Sequence, residues 1–237
     1  MKVRYVLAFI VALTCALSIA FLLLSFAVSD IRTTGLGDAF LSLAVDQTRA
    51  VNVVSGVLLD FRAFDTLGEA SVIFASVAAV SAAFSGSTLR PSERGLGLLV
   101  RRSVSYLSPL FLLFPVYIVF HGHLSPGGGF QGGVSLAVLL ILLTVAFGTR
   151  NVSGVIGVHA LHAVEALSAG AFLLVGVVGV LQGLSFLTNL AAGFPPGEVG
   201  GLFSAGMIPL LNLVIGAKVA SGLGAIFFDL LSTGGGG

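Results

Sequence analysis

Glu69, Glu165 and Lys218 are ionisable residues that fall inside runs of apolar sequence. A charge at bilayer depth costs at least about 2.5–3.5 kcal/mol, so it faces a partner or water and normally has a role. Each could exchange a proton or a cation. Each could equally be half of a buried ion pair that only fixes helix packing. His159, His162 and Glu165 recur at a spacing of three, which rotates successive side chains by about −60° and makes a drifting stripe, not a tight cluster. His-x-x-His could give zinc two ligands, with Glu165 as a third. A hydrated stripe of groups that titrate near neutrality and pass protons fits better. Plain hydrogen-bonded packing is the remaining reading.

Two further clusters stand outside the apolar runs. Asp60, Arg62 and Asp65 form a compact knot, read as two carboxylates clamping one guanidinium or as a lure for cations at an entrance. His121 and His123 open the segment His121-Gly-His-Leu-Ser-Pro-Gly-Gly-Gly-Phe-Gln-Gly-Gly133, in which six of 13 residues are glycine. They read as a capping pair at a helix end or as a polar mouth admitting protons or hydrated cations. Glycine permits left-handed backbone and close approach of other atoms. Non-helical backbone at membrane depth persists only where protein or a water cavity satisfies it.

The elements that must position these groups are membrane helices. The chain has 237 residues, 57% hydrophobic and 9% charged, with a mean hydropathy of +1.11. Soluble domains carry about 25% charged residues. Unbroken apolar runs such as residues 134–147 exclude the alternating pattern of a barrel strand. The fold class is therefore all-α, a polytopic helical protein of about six spans with a short broken helix and a dipping glycine-rich segment.

The expected spans are 5–28, 66–84, 104–120, 134–148, 154–181 and 202–230. The short helix lies at about 51–60. Val134–Gly148 is short for a span, about 22 Å if wholly helical, so either Phe130–Gly133 start that helix or the loop dips; the dip is the preferred reading. The first apolar stretch, residues 6–28, exceeds the usual hydrophobic core of a signal peptide and suits a retained span. Placing the N-terminus inside puts Lys2, Arg4, Arg90, Arg94, Arg101, Arg102 and Arg150 on the cytoplasmic side and only Arg32, Arg49 and Arg62 outside. Both termini are then cytoplasmic, in the cell membrane.

Several classes of function fall away. A net charge of +1 leaves no basic face for nucleic acid. The single cysteine, Cys15, can close no internal disulfide and reads as a core thiol. No cysteine cluster for an iron–sulfur centre and no phosphate-binding glycine motif is present in the sequence. No nucleophile–base–orienter pattern marks an enzyme, and no cofactor is expected in this chain.

The run from Phe114 through Gly133, with its Gly-His-Leu-Ser-Pro-Gly-Gly-Gly-Phe-Gln-Gly-Gly core, closely resembles the signature of the B-type component of Mrp-type multisubunit sodium/proton antiporters. The likeness covers roughly residues 95–230. Asn52 through Glu69, with Asp-Phe-Arg-Ala-Phe-Asp-Thr-Leu-Gly-Glu, resembles the C-terminal part of the A-type Mrp component and the small E-type component of archaeal membrane-bound hydrogenases. The chain thus looks like a fusion: residues 1–85 A- or E-like, 86–103 a basic linker, and 104–237 a four-span B-like domain.

That resemblance implies a non-catalytic subunit of a Na⁺/H⁺-translocating complex of the Mrp and membrane-bound hydrogenase group, carrying Na⁺ or H⁺ as transported ions. Its partners would be other hydrophobic antiporter-type subunits, membrane lipid and, in a redox-driven pump, nickel–iron hydrogenase-like and iron–sulfur subunits. Glu69 matches the family's intramembrane acidic residue, and Asp60, Arg62 and Asp65 match the charged turn before it. His121, His123, Ser125, Pro126, Gly127, Gly128, Gly129 and Gln131 fall in the B-type motif. Glu165, His159, His162 and Lys218 rest on the physical argument alone. A purely structural scaffold is the reading from another class.

Overall fold

The structure, a computed structural model, describes residues 13–14, 16–17, 20–21, 24, 35–84, 95–189 and 193–233. The expected first span lies largely outside them, as do Cys15, Lys2, Arg4, Arg32, Arg90 and Arg94; the described residues within that span are helical. The chain divides into two compact units, residues 1–40 and 41–237. Among the described residues every regular element is helical, and no strand occurs. Among the described residues, five helices are long and apolar enough to cross a membrane.

Helix α1 (Leu36–Thr48) occupies a stretch that reads from sequence as polar connection. It ends where Arg49 takes a positive φ of 59°, and the Thr48 hydroxyl donates to the Ala44 carbonyl while accepting the Ala50 N–H. Asn52 then caps α2 (Val53–Gly56), which widens without a break into a π-helical turn at Val57–Phe61. Arg62, at φ −124° and ψ 40°, ends that turn, and α3 (Ala63–Ala83) begins. The Thr66 hydroxyl reaches back 2.6 Å to the Leu58 carbonyl, satisfying an acceptor at the junction. The break expected at Asp60–Asp65 is therefore present, built as a π-turn; such turns occur often at functional sites.

Helix α4 (Leu98–Phe120) starts inside the expected linker and contains Pro109 and Pro115. Proline frees the carbonyl four residues before it; the Ser108 hydroxyl donates to that carbonyl, on Ser105, at 3.0 Å. Helix α5 covers Gly129–Phe147. Phe130–Gly133, expected in a dipping loop, instead form its first turn. At 19 residues it is about 28 Å long, which removes the length deficit behind that expectation. The short α6 (Thr149–Ser153) turns the chain into α7 (Val158–Leu181), and α8 (Ile208–Thr233) follows a long loop. Residues 202–207, expected in the last span, are turns.

Helix α8 is the centre of the larger unit and packs on α5, α7 and α3. Ile208, Leu211, Ile215, Val219, Ala225 and Phe228 on α8 are all buried. Close approach is set by glycine: a Cβ on Gly129 would lie 2.5 Å from the Asn212 carbonyl oxygen, and one on Gly133 would lie 2.8 Å from that of Gly216. Small residues at such crossings let membrane helices gain dispersion contact where the hydrophobic effect supplies none.

Candidate functional site

Lys218 of α8 and Glu165 of α7 meet in the protein interior. The Lys218 Nζ donates to the Glu165 Oε1 at 2.7 Å, and the two side chains are only 3% and 4% exposed. Phe74 of α3 lies over the ammonium at 5.6 Å, a cation–π contact that strengthens when desolvated. Beside the ammonium, a cavity of about 180 Å³ is lined by Leu67, Ala70, Phe74 and Phe172. An acid and a base separately expected at mid-span thus become one pair.

The neighbouring cluster joins the same two helices to α3. His162, one turn before Glu165 on α7, places its Nε2 3.7 Å from the Asp229 Oδ2. Ser81 of α3 donates to that same oxygen at 2.6 Å. Asp229 sits eleven residues after Lys218, a rotation of about 20° beyond three turns, so both occupy one face of α8 about 16 Å apart. Asp229 does not stand out in the sequence, where it reads as the polar end of the last span. His159 is exposed and stands apart from this line. Among the described residues no three His, Cys, Asp or Glu side chains converge on a metal-sized site.

Glu69 of α3 is exposed on the isolated chain, at the rim of a cavity of about 190 Å³. The same cavity is lined by Ser55, Thr66, Gly127, Gly128, Gln131 and Asn212, so it joins the two motif regions. The described residues leave Glu69 uncovered. Asn212 is 2% exposed; its Oδ1 accepts the Gly129 N–H at 3.0 Å, and its Nδ2 has no hydrogen-bond partner among the described residues.

The glycine-rich loop is held by uncharged side chains. The Asn52 Nδ2 donates to the Gly122 carbonyl at 2.7 Å and to that of Ser125 at 2.9 Å, and the Ser55 hydroxyl donates to the Gly122 carbonyl at 2.6 Å. The Asn52 N–H donates to the His123 carbonyl. Gly127 and Gly128 take φ values of 146° and 131°, which side chains rarely adopt. Ser125 donates to the His121 carbonyl, Pro126 is exposed, and Gln131 lines the cavity beside Glu69.

The histidine pair is parted. His121 caps α4, stacks on Tyr117 at 4.1 Å and sets its Nδ1 3.2 Å from the Tyr117 carbonyl. His123 is wholly buried, with its Nε2 3.4 Å from the Gly201 carbonyl and its Nδ1 without a hydrogen-bond partner among the described residues. Burial pushes the His123 imidazole below its usual pKa, against a smaller opposite pull from the Gly201 and Leu202 backbone.

The charged knot is also divided. Arg62 pairs with Asp65 near the surface, while Asp60 turns to accept the Asn189 N–H at 2.9 Å. Burial raises the Asp60 pKa, and that backbone hydrogen bond partly opposes it. Asn189 ties the same region further, its Nδ2 donating to the Thr48 carbonyl and its Oδ1 accepting the Met207 N–H. Asn52, Ser55, Asn189 and Asn212 escape a reading of the sequence because they carry no charge; amides within apolar surroundings are the available signal.

Five apolar helices among the described residues, two of which bury an acid–base pair between them, define a multi-pass membrane protein. Residues 99–225 match the domain related to the MnhB subunit of Na⁺/H⁺ antiporter, and residues 3–102 match the E-type component of the MBH family. The chain belongs to the MnhB-related family, fused to an E-type segment. It is 32% identical to an uncharacterized protein of Methanocaldococcus jannaschii over 204 residues, 76% of each chain. It is 32% identical to the B component of the Bacillus subtilis Na⁺/H⁺ antiporter over 96 residues, 39% of this chain and 64% of that protein. A chain of the archaeal membrane-bound sulfane sulfur reductase, a respiratory membrane complex, is similar at a TM-score of 0.75 and 29% identity, covering 95% of this chain and 98% of that one. The chain is a membrane subunit of the Mrp and membrane-bound hydrogenase type.

Proposed function

We propose that this chain is a non-catalytic subunit of a cation- or proton-translocating complex and that its own side chains form part of the ion path. The observation that carries this reading is the Lys218–Glu165 pair. Two buried charges cost several kcal/mol each in lost hydration, which their attraction barely recovers. A pair that adds so little stability at mid-span is better understood by what its charges do. Proton arrival at Glu165 would release Lys218, and cation arrival would displace the ammonium from the carboxylate. His162, Asp229 and Ser81 continue the line toward one end of the helices, and Glu69 with its polar cavity offers an entrance for Na⁺ or H⁺.

The partners are hydrophobic antiporter-type subunits, which would cover Glu69 and add to the desolvation that the described residues give it. The excess of basic residues in the segments read as cytoplasmic supports an orientation with both termini inside. No cofactor is assigned to this chain. The test is cation-dependent proton transport by the reconstituted complex carrying Glu69→Gln or Glu165→Gln. Assembled complexes should lose most of their transport. Normal transport by both assembled variants would refute the path.

A second reading, that the complex is a redox-driven pump and not a stand-alone antiporter, is supported by one observation. The sulfane reductase chain is matched over 98% of its own length at a TM-score of 0.75, whereas the Mrp complex chain from Dietzia, which also covers 97% of this chain, is matched over 26% of its own length at 0.68. Gentle extraction and mass spectrometry of the co-purifying subunits would separate the two. Nickel–iron hydrogenase-like or iron–sulfur partners favour the pump; hydrophobic antiporter subunits alone favour the exchanger.

A further inference from the structure

A cleft of about 640 Å³ runs between the α4–α5 pair and the α7–α8 pair, walled by Leu112, Leu139, Leu143, Leu161, Val164 and Ala217. Its volume is that of a small-molecule site. Its only hydroxyls, on Ser108 and Ser221, are donated to the carbonyls of Ser105 and Ala217 within their own helices. Apolar cavities of this kind stay free of water, so the occupant must itself be apolar.

One end of the cleft is cationic. Arg101 and Arg102 precede Ser108 and Pro109 by seven residues, so they lie on the same face of α4, about 10 Å beyond the cleft wall. The Arg101 guanidinium is fixed there. It donates to the Phe147 carbonyl at 3.4 Å and lies 5.8 Å from the Phe147 ring centre, one turn past Leu143. Arg150 lies in α6, which closes the same end before Ile156 rejoins the wall. An apolar slot running about 10 Å along α5, with three arginines beyond its end, has the chemistry of an anionic lipid: part of an acyl chain in the slot and a phosphate at the arginines. Basic pockets between membrane helices bind such headgroups.

We infer that this cleft is a structural site for one anionic phospholipid, held by its acyl chain along α4, α5, α7 and α8 and by its phosphate at Arg101, Arg102 and Arg150. The placement gives the lipid a task. Leu161 and Val164 flank Glu165, and Ala217 and Ser221 flank Lys218, so the chain seals one side of the buried ion pair from water. The site goes beyond the ion path and stands on the membrane fold alone.

The test uses the whole complex with a photo-reactive amino acid at position 112, irradiated in its native membrane. A lipid adduct on that residue is expected; an adduct to another protein subunit overturns the site. In parallel, native mass spectrometry of the detergent-extracted complex should show a retained anionic lipid. Removing two arginines with Arg102→Gln and Arg150→Gln should reduce its preference over a zwitterionic lipid by roughly 30-fold. Ala160→Trp, which fills the slot and leaves the charges in place, should expel it. An assembled wild-type complex that keeps no lipid, or one whose lipid survives both changes, overturns the inference. Transport need not be measured, so its outcome is independent of the ion-path proposal.

Discussion

Replacing Lys218 with methionine would leave the Glu165 carboxylate buried with no counter-charge. At 2.7 Å and an effective dielectric of about 20, the attraction between the two charges is about 6 kcal/mol. The lost hydration of both ions roughly offsets it. The intact pair is therefore near neutral for stability, but a half-pair keeps one desolvation cost with nothing against it. Breaking such a pair costs about 3–5 kcal/mol. Lys218→Met and Glu165→Met should each lower the thermal midpoint of the extracted complex, by roughly 6–20 °C on the scaling for chains of this size. The double variant should return close to the wild type, within about 1 kcal/mol, giving a coupling of at least about 3 kcal/mol. The assay is a thermal shift of the purified complex, with subunit composition checked before heating. A double variant as unstable as the sum of the singles would refute the reasoning, because the two charges would then act independently.

Three further outcomes follow from the same geometry. His123 is held neutral by burial, so its contribution is complete above the ordinary histidine pKa and is lost as pH falls through that value toward the lowered one. The complex should lose stability as pH falls below the ordinary histidine value of about 6.5, and His123→Gln should flatten that slope; an unchanged slope would contradict it. Gly129→Ala should cost about 1–3 kcal/mol by overpacking α5 against α8. Gly170→Ala, where nothing lies within 4 Å, should be neutral or slightly stabilising; equal effects in a thermal shift would refute this account of the crossing. Asn52→Ala removes two carbonyl contacts to the glycine-rich loop, about 2 kcal/mol at the usual value of a hydrogen bond. Hydrogen exchange in residues 121–128 should rise accordingly, and unchanged protection would count against the anchor.

Much of the architecture is legible from the chain. The charges at 60–65 forecast the interruption before α3, because a helix of the full length from 51 to 84 would overrun a bilayer. The glycine-rich segment is harder to read. Its glycines suggest irregular backbone, yet only Gly127 and Gly128 use positive φ, while Gly129, Gly132 and Gly133 are helical and serve close packing. Sequence cannot separate these uses, since both ask for the absence of a Cβ. Helix α1 is hidden because its charges, Asp38 and Asp46, read as a solvated connection.

The site is legible in its charges and obscure in its pairings. Glu165 and Lys218 each fall near the middle of a span, and equal depth is the clue that they could meet. Nothing in the spacing marks Asp229 as the partner of His162, or Asn189 as the partner of Asp60. These contacts are made across 67 and 129 residues of sequence, where the packing of α7 on α8 and of the α7–α8 loop on the π-turn decides which side chains converge.

The ion path is tested most directly by cation-dependent proton uptake into vesicles holding the purified complex, comparing wild type with Lys218→Gln. The substituted chain must first be shown to assemble with all its partners. The account predicts that assembled Lys218→Gln complexes lose transport by at least about tenfold, as removal of an interaction worth about 1.4 kcal/mol or more at the rate-limiting step would require. Wild-type uptake by a fully assembled variant would contradict it, leaving the buried pair as a packing element only.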